Sequence, residues 1–212
     1  LLDVDETYSV YEENATYESS DPTIVSVSDD GVITAHTGGT AMVRVVTETG
    51  STKYPVSVWK HIATETEFMQ IYDGPNGHYK LANDIYLNDI TKFDWATGTP
   101  AGNYPLISWW GKTFNGTFDG DGHVVYGLYV KETIKTDAWA NTGDALFPSA
   151  RNAVIKNLGV DYAYVQATNN ASAIVGYAGY KANASVTVDT CYAGSKVNLR
   201  GYNAGGIYGS GD

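Results

Sequence analysis

The chain is expected to be an all-β protein in two parts, a small sandwich followed by a stacked, repetitive β-architecture. Three observations carry that expectation. The composition is rich in residues of strands and tight turns, with 17 Tyr and 23 Gly among 212 residues, while helix formers are sparse. The first 59 residues read as short alternating strands broken by turn signals every 8–12 residues. The remainder shows short apolar segments, parted by Gly and Asn, that return with a period of roughly 30 residues.

Residues 1–59 read as five or six short strands. Ala41, Val43 and Val45 alternate with Met42, Arg44 and Val46, and Tyr54, Val56 and Val58 alternate with Pro55 and Ser57. Each set marks a strand with one buried face. Ser28-Asp29-Asp30-Gly31 joins Ile24–Val27 to Val32–Ala35 as a hairpin turn, because Asp-Gly supplies the positive φ that such turns need. Gly38-Gly39 makes the next turn. Strands of this number and spacing indicate a small sandwich.

This segment resembles the bacterial Ig-like domains of group 2. The resemblance rests on Tyr17-Glu18-Ser19-Ser20-Asp21-Pro22, Ile24–Val27, Asp30-Gly31-Val32-Ile33-Thr34-Ala35, Gly39-Thr40-Ala41 and Val43-Arg44-Val45. It departs at the N-terminal strand, which is short. Domains of that family act as spacers or binding modules on bacterial surfaces, so the resemblance implies no catalytic residue.

Trp59-Lys60-His61-Ile62-Ala63 forms a short junction, neither Gly- nor Pro-rich, with limited play expected across it. Thr64-Glu65-Thr66-Glu67 has capping-box spacing and precedes Phe68, Met69, Ile71 and Tyr72 on one apolar face. A helix is expected over about 65–72, ended by Asp73-Gly74-Pro75 and covering the open first layer of the stack.

The stack itself is announced by Phe114–Val130. Val125-Tyr126-Gly127-Leu128-Tyr129-Val130 is echoed by Ile155-Lys156-Asn157-Leu158-Gly159-Val160 and more weakly by Val188-Asp189-Thr190-Cys191-Tyr192-Ala193. Interleaved with these are Ala145-Leu146-Phe147-Pro148, Ala173-Ile174-Val175-Gly176 and Gly206-Ile207-Tyr208-Gly209. Before the echoes come His78–Leu87, an irregular insert around Asp94–Asn103, and Pro105-Leu106-Ile107. The expected inward ladder sets Ile155, Leu158 and Val160 over Val125, Leu128 and Val130, with Gly and Asn at the corners.

Residues 60–212 resemble the right-handed parallel β-helix proteins that carry GLUG-type repeats. Phe114–His123 and Ile155–Val160 carry most of that likeness; the later repeats fit more loosely, with Ala173 where the family often has Gly. The resemblance implies a parallel β-helix on a bacterial cell-surface or secreted protein. The segment stops just after a repeat strand, and both ends look like processing boundaries, so a longer parent is expected, with a β-helix cut short at its C-terminus.

Charge and cysteine content narrow the function classes. Net charge is −11, from 13 basic and 24 acidic residues, with no basic stripe, which argues against nucleic acid as a partner. No apolar run is long enough to insert in a membrane. The single Cys191 excludes an intrachain disulfide and takes an apolar strand position equivalent to Leu158. His36, His61, His78 and His123 lack metal-ligand spacing, and no Gly-x-Ser-x-Gly elbow is present.

Two groups of residues offer chemistry. Asp119-Gly120-Asp121-Gly122-His123 pairs carboxylates beside an imidazole. Gly-Asp-Gly also makes ordinary turns, and the resembled family uses the segment structurally. A weak cation site, Ca²⁺ on Asp119 and Asp121, is the alternative and the one candidate cofactor. Trp95, Tyr104, Trp109 and Trp110 lie around the loop-rich insert, where aromatics either stack on glycan rings or cover the side of a β-stack. Catalytic residues are not indicated. The expected function is a non-enzymatic surface fragment, extracellular or cell-surface, binding host or environmental glycans or surface proteins. The alternative is an accessory fragment of a polysaccharide-degrading or peptidase polypeptide whose catalytic part lies elsewhere.

Overall fold

The computed structural model describes residues 1–100, 112–131, 143–179 and 184–211. Strands dominate, so the protein is all-β as expected. The chain divides into two compact units, one of residues 1–61 with 76–80, the other of 62–75 with 81–212. Among the described residues no helix is long and apolar enough to cross a membrane.

The first unit holds two sheets. Thr7–Ser9, Val32–Ala35 and Val25–Val27 form an antiparallel sheet of three strands. Thr16–Ser19, Gly39–Thr47 and Gly50–Ile62 pair antiparallel in the other, where Leu2–Asp3 adds in parallel. Their inward residues meet in one core of Val25, Ile33, Ala35, Ala41, Val43, Val56 and Val58. The two-residue alternation of Gly39–Thr47 matches its burial residue by residue up to Val45. Tyr54 departs from the expected pattern and stays exposed, although its cross-strand partner Val43 is fully buried in the core. The Asp30-Gly31 turn closes as expected: the Ser28 amide donates to the Val32 carbonyl, and Gly31 takes φ +75°.

In the second unit the helix begins where its capping box places it. Thr64 Oγ1 accepts from the Glu67 amide at 3.2 Å, and Glu67 Oε2 accepts from the Thr64 amide at 3.0 Å. The α-helix spans only Glu65–Met69 and tightens into a 3₁₀ turn over Gln70–Asp73. That tightening puts Ile71 and Tyr72 in the core with Phe68. The Phe68 ring meets Phe118 edge-on at 5.7 Å, so the helix covers the start of the apolar column.

Five parallel ladders follow among the described residues. Thr113–Phe114, Phe147–Ala150, Val175–Ala178 and Tyr208–Gly211 form one. Thr117–Asp119, Ala153–Lys156 and Val186–Asp189 form the next. Ile85–Tyr86, Val124–Tyr126, Gly159–Asp161 and Tyr192–Ala193 form a third. Tyr129–Lys131, Ala163–Gln166 and Val197–Arg200 make the fourth, and Gly143–Asp144, Asn170–Ser172 and Asn203–Gly205 the fifth. From Phe147 to Ser172 the chain visits all five in order, and Val175 opens the next pass.

The register corrects one expectation and matches another. Ile155 lies over Phe118, not Val125, and Val160 lies over Val125, not Val130. Consecutive strands of one pass share the same apolar-Gly rhythm, so a strand's neighbour in sequence mimics its neighbour in the stack. The later echo is in register, with Val188 on Ile155 and Ala193 on Val160. So is the interleaved series, with Phe147, Val175 and Tyr208 in line. The corners include Asn152 and Asn157 at positive φ, but also Tyr162 and Thr190. Inward residues Ile85, Val125, Val160, Phe118, Ile155 and Val165 are fully buried. In the last pass Val188, Ala193 and Leu199 are half-buried, and no described strand lies over them.

Two outcomes follow. Phe118→Ala should cost the second unit about 3–5 kcal/mol in urea unfolding, against about 1 kcal/mol for Thr64→Ala; equal losses would contradict the central place of Phe118. Cys191 is half-buried, and burial pushes its thiol up. Its reaction with a disulfide reagent at neutral pH should therefore be slower than that of free cysteine.

Candidate functional site

Asp119 stands at a corner of the second ladder, where its backbone pairs with Lys156. Its Oδ1 accepts from Asn157 Nδ2 at 3.0 Å and from the Asp121 amide at 2.9 Å. Its Oδ2 lies 3.1 Å from Lys156 Nζ. Burial alone would raise this carboxyl, but the hydrogen bonds and the ammonium outweigh it and bring the group below its ordinary value. Lys156 thus already neutralises the Asp119 carboxylate that the sequence offers, with Asp121, to Ca²⁺. Among the described residues no group of three or more His, Cys, Asp or Glu is placed to hold a metal. The Asp-Gly-Asp-Gly corner ties one pass to the next through Asn157, which takes φ +53°.

The aromatic set expected at the insert is only partly described. Tyr104, Trp109 and Trp110 lie outside the described residues. Trp95 is 7% exposed and packs with Phe93, Tyr129 and Tyr164. Its indole Nε1 donates to the Ile90 carbonyl at 3.0 Å. With its ring packed in this cluster, Trp95 offers no platform to a sugar; the packing alternative describes it. His78 is half-buried, with its ring against Trp59.

The third ladder presents a different aromatic group. Ile85, Val125 and Val160 point inward in register, so Tyr86, Tyr126 and Asp161 form the outward column beside them. The Tyr86 and Tyr126 rings stack at 4.9 Å with 21° between their planes. Tyr86 remains 55% exposed and Tyr192 50% exposed. Tyr192 pairs with Gly159 in the ladder. A Cβ at Gly159 would lie 2.5 Å from the Tyr192 ring, so glycine lets the ring rest against the backbone. Tyr162 packs edge-on to Tyr126 at 6.3 Å. It holds φ +49°, a costly conformation for a bulky residue.

Carboxylates frame these rings. Asp84 Oδ1 accepts from the Val124 amide at 3.0 Å and contacts His123 Nδ1 at 3.2 Å. Asp161 Oδ1 accepts from the amides of Tyr162 and Lys196, each at 2.9 Å. Partial burial, then the fields of Asp84 and its neighbours including Asp161, push the Tyr126 phenol up. The result is a face of π-surfaces, phenol hydroxyls and fixed carboxylate acceptors. The sequence signal for it is weak, because Tyr86, Tyr126 and Tyr192 lie far apart in the chain and only the ladder brings them to one face, Tyr86 and Tyr126 in one column and Tyr192 in the adjacent column of Val124 and Gly159.

Compared with known proteins, the chain matches no family model, no curated protein and no solved structure.

The Asp119 corner makes a pH prediction. Its folded carboxyl lies below the unfolded value of about 4, so the stability it contributes is present above that value. It is lost as pH falls through the lowered folded value. Urea unfolding from pH 7 down to pH 3 should show a weaker acid loss in Asp119→Asn than in the parent chain. Parallel acid profiles would contradict the Lys156 and Asn157 pairing.

Proposed function

We propose that this chain is a non-catalytic fragment of a bacterial cell-surface or secreted protein, with a glycan-binding face on its second unit. The observation that carries this reading is the exposed Tyr86–Tyr126 stack with Tyr192 on the same ladder, flanked by Asp84 and Asp161. Sugar rings present apolar C–H faces and hydroxyl edges, and an aromatic face beside acidic acceptors satisfies both. The first unit is then an Ig-like sandwich acting as a spacer. The second is a parallel β-helix, right-handed by the rule that governs crossovers between parallel strands. Its two resemblances, its ladders and its acidity support an extracellular or surface setting.

A glycan array probed with the whole chain tests this directly. Binding is expected, and Tyr86→Ala or Tyr192→Ala should each weaken it about tenfold, the equivalent of about 1.4 kcal/mol. Both side chains are exposed, so unchanged circular dichroism should accompany the loss. A blank array, or hits indifferent to both substitutions, would overturn the proposal.

A further inference from the structure

We infer that this face takes a linear oligosaccharide free of acidic groups, three sugars or longer, laid along the ladder from Tyr86 to Tyr192. The inference rests on the glycan-binding function proposed above and names its ligand class.

Length comes from the register. The strand of Tyr86 pairs with that of Tyr126, which pairs with Gly159–Asp161, which pairs with that of Tyr192. Three steps at the ordinary strand spacing separate the strands that carry the two exposed rings by roughly 14 Å, and the Tyr192 ring, over Gly159, still lies beyond the strand of Tyr126. One sugar ring can cover one tyrosine but cannot reach the other. An extended pyranose chain advances by close to one ladder step per sugar, so bridging both platforms takes three or more. Both rings are held in advance, Tyr86 by the Tyr126 ring and Tyr192 by the bare backbone at Gly159. Little ordering remains to oppose binding.

Charge selects among such chains. Asp84 lies beside the column and Asp161 continues it next to Tyr126, and their influence reaches the Tyr126 hydroxyl. The nearby Lys156 ammonium is held by Asp119. Around them the protein carries a net charge of −11. Uronates, sialylated and sulfated chains would bring like charge against these carboxylates. Neutral chains would instead donate hydroxyls to them.

The test uses the whole chain on an array of neutral and acidic glycans from monosaccharides to octasaccharides, with each hit titrated calorimetrically. Hits should be neutral and at least three sugars long, at least tenfold tighter than their own monosaccharides. Tyr192→Ala should remove that gain with length, and Asp84→Asn should admit acidic chains that the parent rejects. Acidic glycans among the strongest hits, or monosaccharides as strong as oligomers, would overturn this inference while leaving glycan binding intact. An array blank for every glycan would overturn the glycan-binding function and the inference with it.

Discussion

In the second unit, each pass of the chain sets apolar side chains directly over those of the pass before. Phe118 with Ile155, Val125 with Val160 and Val130 with Val165 are joined by parallel backbone ladders and buried together. Inward burial and backbone pairing are one constraint here, since slipping a strand by one residue would turn its apolar set to solvent. The helix at the start obeys it by laying Phe68 against Phe118. The corners obey it too, because a residue at positive φ turns the chain sharply enough to begin the next strand in register.

The same constraint organises the polar surface. Once inward positions are fixed, outward positions fall into columns, and like or complementary residues meet along them. Asp119 and Lys156 become an ion pair at a corner, Asn170 accepts from Asn203 in a side-chain ladder, and Tyr86 stacks on Tyr126. The corner pair is consumed by structure, since its charges satisfy one another. The tyrosine column keeps exposed rings and is flanked by carboxylates already oriented by backbone amides. That difference separates a residue cluster that holds the fold from one that can meet a ligand.

Legibility in the sequence followed the range of the interactions. The hairpin at Asp30-Gly31, the capping box at Thr64 and the alternation through Ala41–Val45 involve residues within a few positions of each other, and each is read from local chemistry. The echo of Val125 at Ile155 misled because neighbouring strands within a pass look alike, whereas the echo of Ile155 at Val188 held. Trp95 shows the other limit. A large aromatic in a loop-rich segment has the same sequence signature whether it is packed or displayed, and only its burial with Phe93, Tyr129 and Tyr164 decides.

By itself the sequence determined that the protein is all-β, that its strands are short and repetitive, and where its first helix begins. Those properties reside in period, propensity and capping, which act between close neighbours. Tertiary structure alone decided the stacking register, the engagement of Asp119 by Lys156 and Asn157, and the alignment of Tyr86, Tyr126 and Tyr192 on one face. Each of these depends on how many residues a pass contains, and that number varies with every loop between strands. A repeat of uneven length announces that it stacks, but which side chains meet is settled only when the apolar column closes.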